Sequence, residues 1–265
     1  MGIFRKIHNN TVLFLRNKYF LRKVDKKFSL PPIIIGGCGR SGTSLLLSIL
    51  SAHPQIYGIP KETYYFCPTA YTYDPDYWAK FDIKGFYNNW VRNVELSDVN
   101  KSMTFCEKSP KNVRYFQRIL KLFNNRVKII NIIRDGRDVV LSKHPTDPSK
   151  VWSTKERWVR DLKYGIDVMN DPNVFTVRYE DLINNFEDTV GQIFKFLQLN
   201  FDNNVKDWYL NSKIRTHGAW KDGLQPINSD SVGKWKNENG SSKELTKFLN
   251  DSECIKLLKQ FNYEV

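Results

Sequence analysis

The sequence predicts an α/β fold of three layers, in which helices flank both faces of a central parallel β-sheet. Short, continuous apolar runs such as residues 33–35 are bounded by proline and glycine, as in strands that are buried on both faces. Segments with helical spacing separate these runs, and this alternation is typical of doubly wound sheets. The 265 residues, 41% of them hydrophobic, suffice for one large domain of this class. We therefore expect one domain at residues 31–265, preceded by a basic leader at residues 1–30.

The predicted strands and helices alternate along the chain. Strands are expected at residues 33–35, 102–106, 126–133 and 173–178. Helices are expected at residues 43–52, 112–123, 138–144 and 152–169, with a further helix that ends near residue 197. The segment 64–90 is rich in aromatic residues and weakly periodic, which favours loops and short helices over an opening. Its aromatic side chains either pack beneath such a lid or stack on an acceptor molecule.

Polar residues follow the predicted strands at four places. They are the loop 37–44, the pair Glu107–Lys108, Arg134 and Tyr179. Ligands of open parallel sheets bind outside the carboxyl ends of the strands. The sequence therefore predicts a binding site at this edge of the sheet.

The loop from Gly37 to Ser44 resembles a phosphate-binding P-loop, because Gly37 and Gly42 have the G-x-x-x-x-G spacing. Small residues let backbone N–H groups approach an anion, and the following helix N-terminus favours negative charge. Thr43 occupies the position of the lysine that normally reaches the β- and γ-phosphates of a nucleoside triphosphate. The loop is thus predicted to bind phosphate but not a triphosphate. The alternative is a plain strand-to-helix turn with capping hydroxyls.

A second candidate anion site lies at the end of the strand 126–133. Arg134 leaves this strand, and Ser142 follows about two helical turns later, so both can hold one phosphate from the same side. The alternative is a surface ion pair, in which Arg134 or Arg137 contacts Asp135 or Asp138.

These motifs together resemble those of sulfotransferases that use 3′-phosphoadenosine 5′-phosphosulfate (PAPS). Gly39–Ser44 is similar to the family's 5′-phosphosulfate loop, and Arg134–Asp138 with Ser142 is similar to its 3′-phosphate motif. Tyr179–Leu182 looks like the segment near the adenine, and Gly233–Trp235 resembles the segment that closes over the cofactor. The resemblance implies these cofactor-binding residues: Gly39, Arg40, Ser41, Gly42, Thr43, Ser44, Arg134, Ser142, Tyr179, Lys234 and Trp235.

The R-S-G-T start of the loop, His53–Pro54 and Lys61–Thr63 resemble most the tyrosylprotein, Golgi-like and bacterial sulfotransferases. The resemblance implies that Glu62 is the general base, and that Lys108 and Arg40 stabilise the charge on the leaving phosphate oxygen. Gly233 departs from the tyrosylprotein pattern, which has a serine there, and Ser231 cannot be assumed to replace it.

His53 stands before Pro54 at the predicted helix end, which favours a capping role over that of a base. No metal-ligand spacing is visible, and the chemistry implied by the resemblance needs no metal.

The charge of the chain indicates an anionic partner. The net charge is +13, and residues 1–30 contribute +7 of it through eight basic residues and one acid. A nucleotide cofactor fits this charge, whereas no signature of a nucleic-acid-binding module is present. A leader helix with Val12, Leu15, Tyr19 and Phe20 on one side would either rest peripherally on a membrane surface or pack on the domain.

Four widely spaced cysteines are expected to be free thiols in a reducing, cytoplasmic compartment. The sequence contains no predicted transmembrane span.

The predicted function is the transfer of a sulfuryl group from PAPS to a hydroxyl-bearing acceptor, by in-line displacement. A carbohydrate or glycolipid is the first expectation for the acceptor, peptide tyrosine the second and a small phenol the third. One rival is a nucleotide or small-molecule kinase, which would need Mg²⁺ and the missing lysine. The other is a non-catalytic module that binds anions or a membrane surface.

Overall fold

The computed structural model describes residues 2–68, 81–92, 103–143, 147, 151–214, 223–238 and 242–265. In these residues, five parallel strands form one sheet in the order β2-β3-β1-β4-β5. The strands are β1 (Ile33–Gly37), β2 (Ile56–Gly58), β3 (Thr104–Lys108), β4 (Lys128–Ile133) and β5 (Val174–Arg178). The sequence did not predict β2, which has only three residues. The predicted fold class is confirmed.

Helices cover both faces of the sheet. Their bounds are α1 (Gly2–Lys27), α2 (Thr43–Ser51), α3 (Ile83–Phe86), α4 (Phe116–Leu122), α5 (Gly136–Val140), α6 (Lys155–Ile166), α7 (Tyr179–Asn184), α8 (Phe186–Leu197), α9 (Trp208–Asn211), α10 (Lys243–Leu249) and α11 (Ser252–Gln260). Short 3₁₀ helices span Pro110–Tyr115, Asn203–Val205 and Lys234–Asn237, and a π-helical turn spans Tyr87–Val91.

The alternation of side chains along β1 divides the core into layers. Ile34 packs with Phe105 and Ile129 on one face of the sheet. Ile33 and Ile35 pack on the other face, where α2 and α8 supply most of the apolar partners. Burial on both faces explains why the strand is read in the sequence as a continuous apolar run.

The leader forms α1, and the C-terminal part of this helix packs on the domain. Val24 and Phe28 are buried in the core, and Phe20 packs against them. Asn17 Oδ1 accepts a hydrogen bond from the backbone N–H of Ile83 at 3.0 Å. Val12, Leu15 and Tyr19 are exposed, so Phe20 does not share their face. The division into a leader at residues 1–30 and a single domain at residues 31–265 stays a prediction.

The helix after β4 is shorter than predicted. Asp135 caps α5 by accepting a hydrogen bond from the backbone N–H of Arg137 at 2.9 Å, and the helix ends at Val140. Ser142 therefore lies just beyond the helix. Among the described residues, no helix is long and apolar enough to cross a membrane.

Candidate active site

The carboxyl ends of β1, β4 and β5 open into one cavity of about 570 Å³. Its walls include the loop that follows β1, the first residue after β4 and the first residue after β5. Lining residues predicted from the sequence are Gly39, Arg40, Gly42, Thr43, Ser44, Glu62, Arg134 and Tyr179. The structure thus brings together most of the predicted site residues, although their individual roles stay predictions.

The loop before α2 is built for close approach of a ligand and of neighbouring elements. Arg40 and Gly42 have positive φ angles of 73° and 91°, and a Cβ at Gly42 would lie 2.4 Å from the ring of Tyr179. A Cβ at Gly39 would lie 2.7 Å from Nε1 of Trp152. Within the described residues, no side chain caps the first backbone N–H groups of α2, whose N-cap residue is Gly42. The buried hydroxyl of Ser41 has no hydrogen-bond partner among the described residues.

Arg134 connects the loop to the other walls of the cavity. Its Nη1 donates to the carbonyl oxygen of Arg40 at 2.9 Å, and its Nη2 donates to the carbonyl oxygen of Ser231. The guanidinium lies 4.5 Å from the ring centroid of Tyr179, whose hydroxyl is 2.6 Å from the hydroxyl of Ser231. In the described part of the chain, the buried Nε of Arg134 has no hydrogen-bond acceptor.

Arg40 and Arg134 both line the cavity, and within the described part of the chain neither forms an ion pair with a carboxylate. Arg40 reaches solvent, and partial desolvation together with the nearby charge of Arg134 lowers its pKa. The unpartnered Nε of Arg134 and hydroxyl of Ser41 are hydrogen-bond donors, which are the groups that a phosphate requires. The residues present therefore fit an anionic ligand with more than one phosphate.

The segment 233–235 is hydrogen-bonded to Asp138, a residue of α5. Asp138 accepts hydrogen bonds from the backbone N–H groups of Gly233 at 2.8 Å and Trp235 at 3.0 Å. Burial raises the pKa of Asp138, and these two bonds partly offset that shift. The sequence did not predict this contact, which joins residues almost a hundred positions apart.

The lining of the cavity does not include Arg137, Ser142 or Lys234. Arg137 forms an ion pair with Asp135 at 2.8 Å, but the pair is buried and not on the surface as the sequence alternative had it. Its guanidinium lies 3.7 Å from the ring centroid of Trp235. The Ser142 hydroxyl donates to the carbonyl oxygen of Asp138 at 2.9 Å, so it must rotate to bind a phosphate. Lys234 is exposed.

Glu62 lines the cavity and forms an ion pair with Lys108, which is buried and is not itself a lining residue. The distance between Nζ of Lys108 and Oε1 of Glu62 is 2.7 Å, and their side chains are 1% and 24% exposed. Oε2 of Glu62 accepts a hydrogen bond from the hydroxyl of Tyr64. The sequence pointed to Glu62 and Lys108 separately, but it did not single out Tyr64 as a partner of the carboxylate.

Glu107 is fully buried on the opposite side of β3 from Lys108. Its carboxylate accepts hydrogen bonds from the hydroxyls of Thr63 at 2.8 Å and Ser109 at 2.7 Å, and from the amide of Asn112 at 2.7 Å. Burial raises the pKa of Glu107, and these bonds oppose the shift. Lys108 thus contacts Glu62 rather than its neighbour in the sequence.

His53 does not line the cavity. Its Nδ1 accepts a hydrogen bond from the backbone N–H of Gln55 at 3.1 Å, so Nε2 donates to the carbonyl oxygen of Asn200 at 3.0 Å. Burial lowers the pKa of this histidine. These contacts support the structural role that its position before Pro54 indicated.

Besides Tyr179, three aromatic residues of the described chain line the cavity, and only one of them, Tyr64, belongs to the aromatic segment 64–90 identified in the sequence. Tyr64, Trp152 and Trp208 line the cavity, whereas Phe66 is buried in the core. Four other aromatic residues of the segment 64–90 lie outside the described residues: Tyr71, Tyr73, Tyr77 and Trp78.

The four cysteines are buried free thiols. Within the described ranges, no group of His, Cys, Asp or Glu could hold a metal ion.

Comparisons with known proteins agree with these motifs. The sequence profile of the Sulfotransferase family matches residues 31–86 and 75–203. Protein-tyrosine sulfotransferase A of Caenorhabditis elegans is 25% identical over 236 residues, which cover 77% of this chain and 61% of that protein. Protein-tyrosine sulfotransferase of Drosophila melanogaster is 24% identical over 246 residues, covering 78% of this chain and 47% of that protein. The chain therefore spans about half to three-fifths of the length of these two relatives.

Solved structures share the fold. The sulfotransferase domain from the Synechococcus PCC 7002 olefin synthase superposes with a TM-score of 0.62 at 19% identity, over 89% of this chain and 95% of that domain. The sulfotransferase domain from the curacin biosynthetic pathway gives the same TM-score at 17% identity, over 89% of this chain and 99% of that domain. The family profile covers more than half of the sequence, and the predicted resemblance is confirmed: this chain belongs to the sulfotransferase family.

Proposed function

We propose that the protein transfers the sulfuryl group of PAPS to a hydroxyl group of an acceptor. The observation that carries this proposal is that the phosphate loop, Arg134 and Glu62 line one cavity, and that Nζ of the buried Lys108 lies 2.7 Å from the Glu62 carboxylate. A basic group, a cationic group and two sets of anion-binding donors are what such a transfer requires.

The residues of the chain hold the two ends of the cofactor. The backbone N–H groups and hydroxyls of residues 39–44 bind the 5′-phosphate end, with Arg40 beside them. Arg134 and Ser142 bind the 3′-phosphate, and the ring of Tyr179 lies near the adenine. The segment with Lys234 and Trp235 closes over the nucleotide and is held by Asp138. When bound, PAPS supplies the activated sulfuryl group and the phosphate that departs.

Glu62 removes the proton of the acceptor hydroxyl while that oxygen attacks the sulfur. The bond from sulfur to the bridging phosphate oxygen breaks, and its electron pair stays on that oxygen. Lys108 and Arg40 stabilise the negative charge there. Because Glu62 becomes neutral when it takes the proton, its attraction for Lys108 weakens at the moment when the ammonium is needed by the leaving oxygen.

The proposed acceptor carries a hydroxyl on a sugar or on a phenol ring. The rings of Tyr64 and Trp152 in the cavity wall can stack on the face of either. A carbohydrate or glycolipid stays the first candidate, and the names of the worm and fly relatives support peptide tyrosine as the second.

The cofactor class separates this function from that of a kinase. We expect adenosine 3′,5′-bisphosphate (PAP), the desulfated product, to raise the melting temperature in thermal unfolding, because it binds only the folded protein. ATP with Mg²⁺ should change the melting temperature little, since Thr43 replaces the triphosphate-binding lysine. Stabilisation by ATP–Mg²⁺ and none by PAP would instead support the kinase.

We also propose that α1 rests on an anionic membrane surface. Val12, Leu15 and Tyr19 are exposed on the side of the helix away from Val24, and basic residues such as Lys18 and Arg22 flank them. An apolar strip between basic side chains complements acyl chains beneath anionic headgroups.

Co-sedimentation with phosphatidylserine vesicles tests this contact. Leu15→Glu is expected to abolish binding, whereas Leu210→Glu, at a residue that is equally exposed (58%), should leave it intact. Equal binding of the two variants, or no binding by the unmodified chain, would refute membrane contact through this helix.

A further inference from the structure

The loop that carries Glu62 has an unfavourable backbone conformation. Tyr64, two residues after the proposed base, has φ of 53°, in the left-handed region. This region is unfavourable for a residue with a side chain, because its Cβ lies too close to the following carbonyl oxygen. The loop has no regular secondary structure after β2, so other contacts must hold it in place.

The buried carboxylate of Glu107 provides these contacts. Its Oε1 accepts hydrogen bonds from the backbone N–H of Thr63 at 3.4 Å and from the hydroxyl of Thr63 at 2.8 Å. The hydroxyl of Ser109 donates to the same oxygen at 2.7 Å and accepts a bond from the backbone N–H of Tyr64 at 3.3 Å. Glu107 therefore holds the two residues that directly follow the base.

Consecutive residues of β3 hold consecutive residues of the loop. Glu107 and Lys108 point to opposite sides of the strand, where the first contacts Thr63 and the second contacts the carboxylate of Glu62. The end of β3 thereby holds both the main chain next to Glu62 and the side chain of Glu62 itself.

The same carboxylate is connected to the strand that leads into the phosphate loop. The side-chain amide of Asn112 donates to Oε2 of Glu107 at 2.7 Å and to the carbonyl oxygen of Ile35 in β1 at 3.1 Å. This chain of contacts sets the position of the Glu62 loop relative to the cofactor loop.

We infer that Glu107, through Thr63, is a positioning residue that holds Glu62 at the attack distance from the acceptor. This inference rests on the proposed role of Glu62. A misplacement of about 1 Å in an active site can lower the rate by up to roughly 10²-fold. A role in stability alone would affect the melting temperature but not the chemical step in particular.

Steady-state kinetics of Glu107→Gln and Thr63→Val, with PAPS and a hydroxyl acceptor, test the inference. Both variants are expected to lower kcat between about tenfold and 10²-fold, with little change in the KM for PAPS or the affinity for PAP. Thr63→Val keeps the shape of the side chain and is the less disruptive of the two. Thr63→Ser, which restores the hydroxyl, should recover most of the rate.

Combination with Glu62→Gln distinguishes positioning from general damage. If Glu107 acts through Glu62, Thr63→Val should add no further loss in the Glu62→Gln background. A full kcat for Thr63→Val, losses that multiply in that background, or a parallel fall in PAP affinity would overturn the inference. Normal turnover of Glu62→Gln alone would instead overturn the proposed function of the base.

Discussion

Replacement of Glu62 with glutamine is expected to lower the turnover number by about 10²-fold or more while the affinity for PAP is unchanged. Glutamine keeps the size of the side chain and can still bond to Tyr64, but it cannot accept the proton of the acceptor. It also leaves Lys108, whose side chain is only 1% exposed, without the carboxylate at 2.7 Å. Turnover is measured by transfer of labelled sulfuryl groups, and affinity for PAP by calorimetry.

A second carboxylate serves as the matched control for this variant. Glu253 forms an ion pair with Lys163 at 3.0 Å on the surface, so Glu253→Gln removes the same charge from an exposed pair outside the cavity. This control should retain full turnover, because exposed ion pairs contribute little. Normal turnover of Glu62→Gln would remove Glu62 from the mechanism.

Replacement of Arg134 with alanine is expected to weaken PAP binding by about 2–3 kcal/mol, roughly 30- to 150-fold in the dissociation constant. The variant removes the charged donor expected to bind the 3′-phosphate, and also the bonds to the carbonyl oxygens of Arg40 and Ser231. Calorimetric titration with PAP gives the affinity, and thermal unfolding without ligand separates any loss of stability.

Two further arginine variants make this test specific. Arg134→Lys keeps the charge but not the planar fork of donors, so we expect an intermediate affinity. Arg126→Ala removes a partly exposed arginine that pairs with Asp25 at 2.7 Å, and it should bind PAP like the unmodified chain. An unchanged dissociation constant for Arg134→Ala would contradict the assignment of the 3′-phosphate site.

The parts of the fold that follow from local sequence were predictable. The isoleucines of β1 and β4 indicate buried strands, and the glycines of the loop before α2 predict the anion site proposed there. Strand β2 was not predictable, because three residues give no periodicity and depend on pairing with β3. The start of α5 at Gly136, two residues before the predicted start, depends on the N-terminal cap by Asp135.

The site was predictable as a set of residues but not as a set of contacts. Glu62 and Lys108 came from motifs 46 positions apart, and only the folded chain shows that they form a pair. Asp138 meets Gly233 across 95 positions, a contact that no local pattern indicates. Glu107 and Lys108 are the last two residues of β3, whereas the sequence placed them after the strand, so the buried donors around Glu107 were not predicted.

The central claim is that two anion sites, one at residues 39–44 and one at Arg134, hold the two ends of a single adenosine nucleotide. A crystal structure of the protein with PAP tests it most directly. We predict the 5′-phosphate at the N-terminus of α2 and the 3′-phosphate within hydrogen-bond distance of the guanidinium of Arg134, whose Nε lacks a partner here. A nucleotide bound outside this cavity, or one with its 3′-phosphate away from Arg134, would contradict the claim.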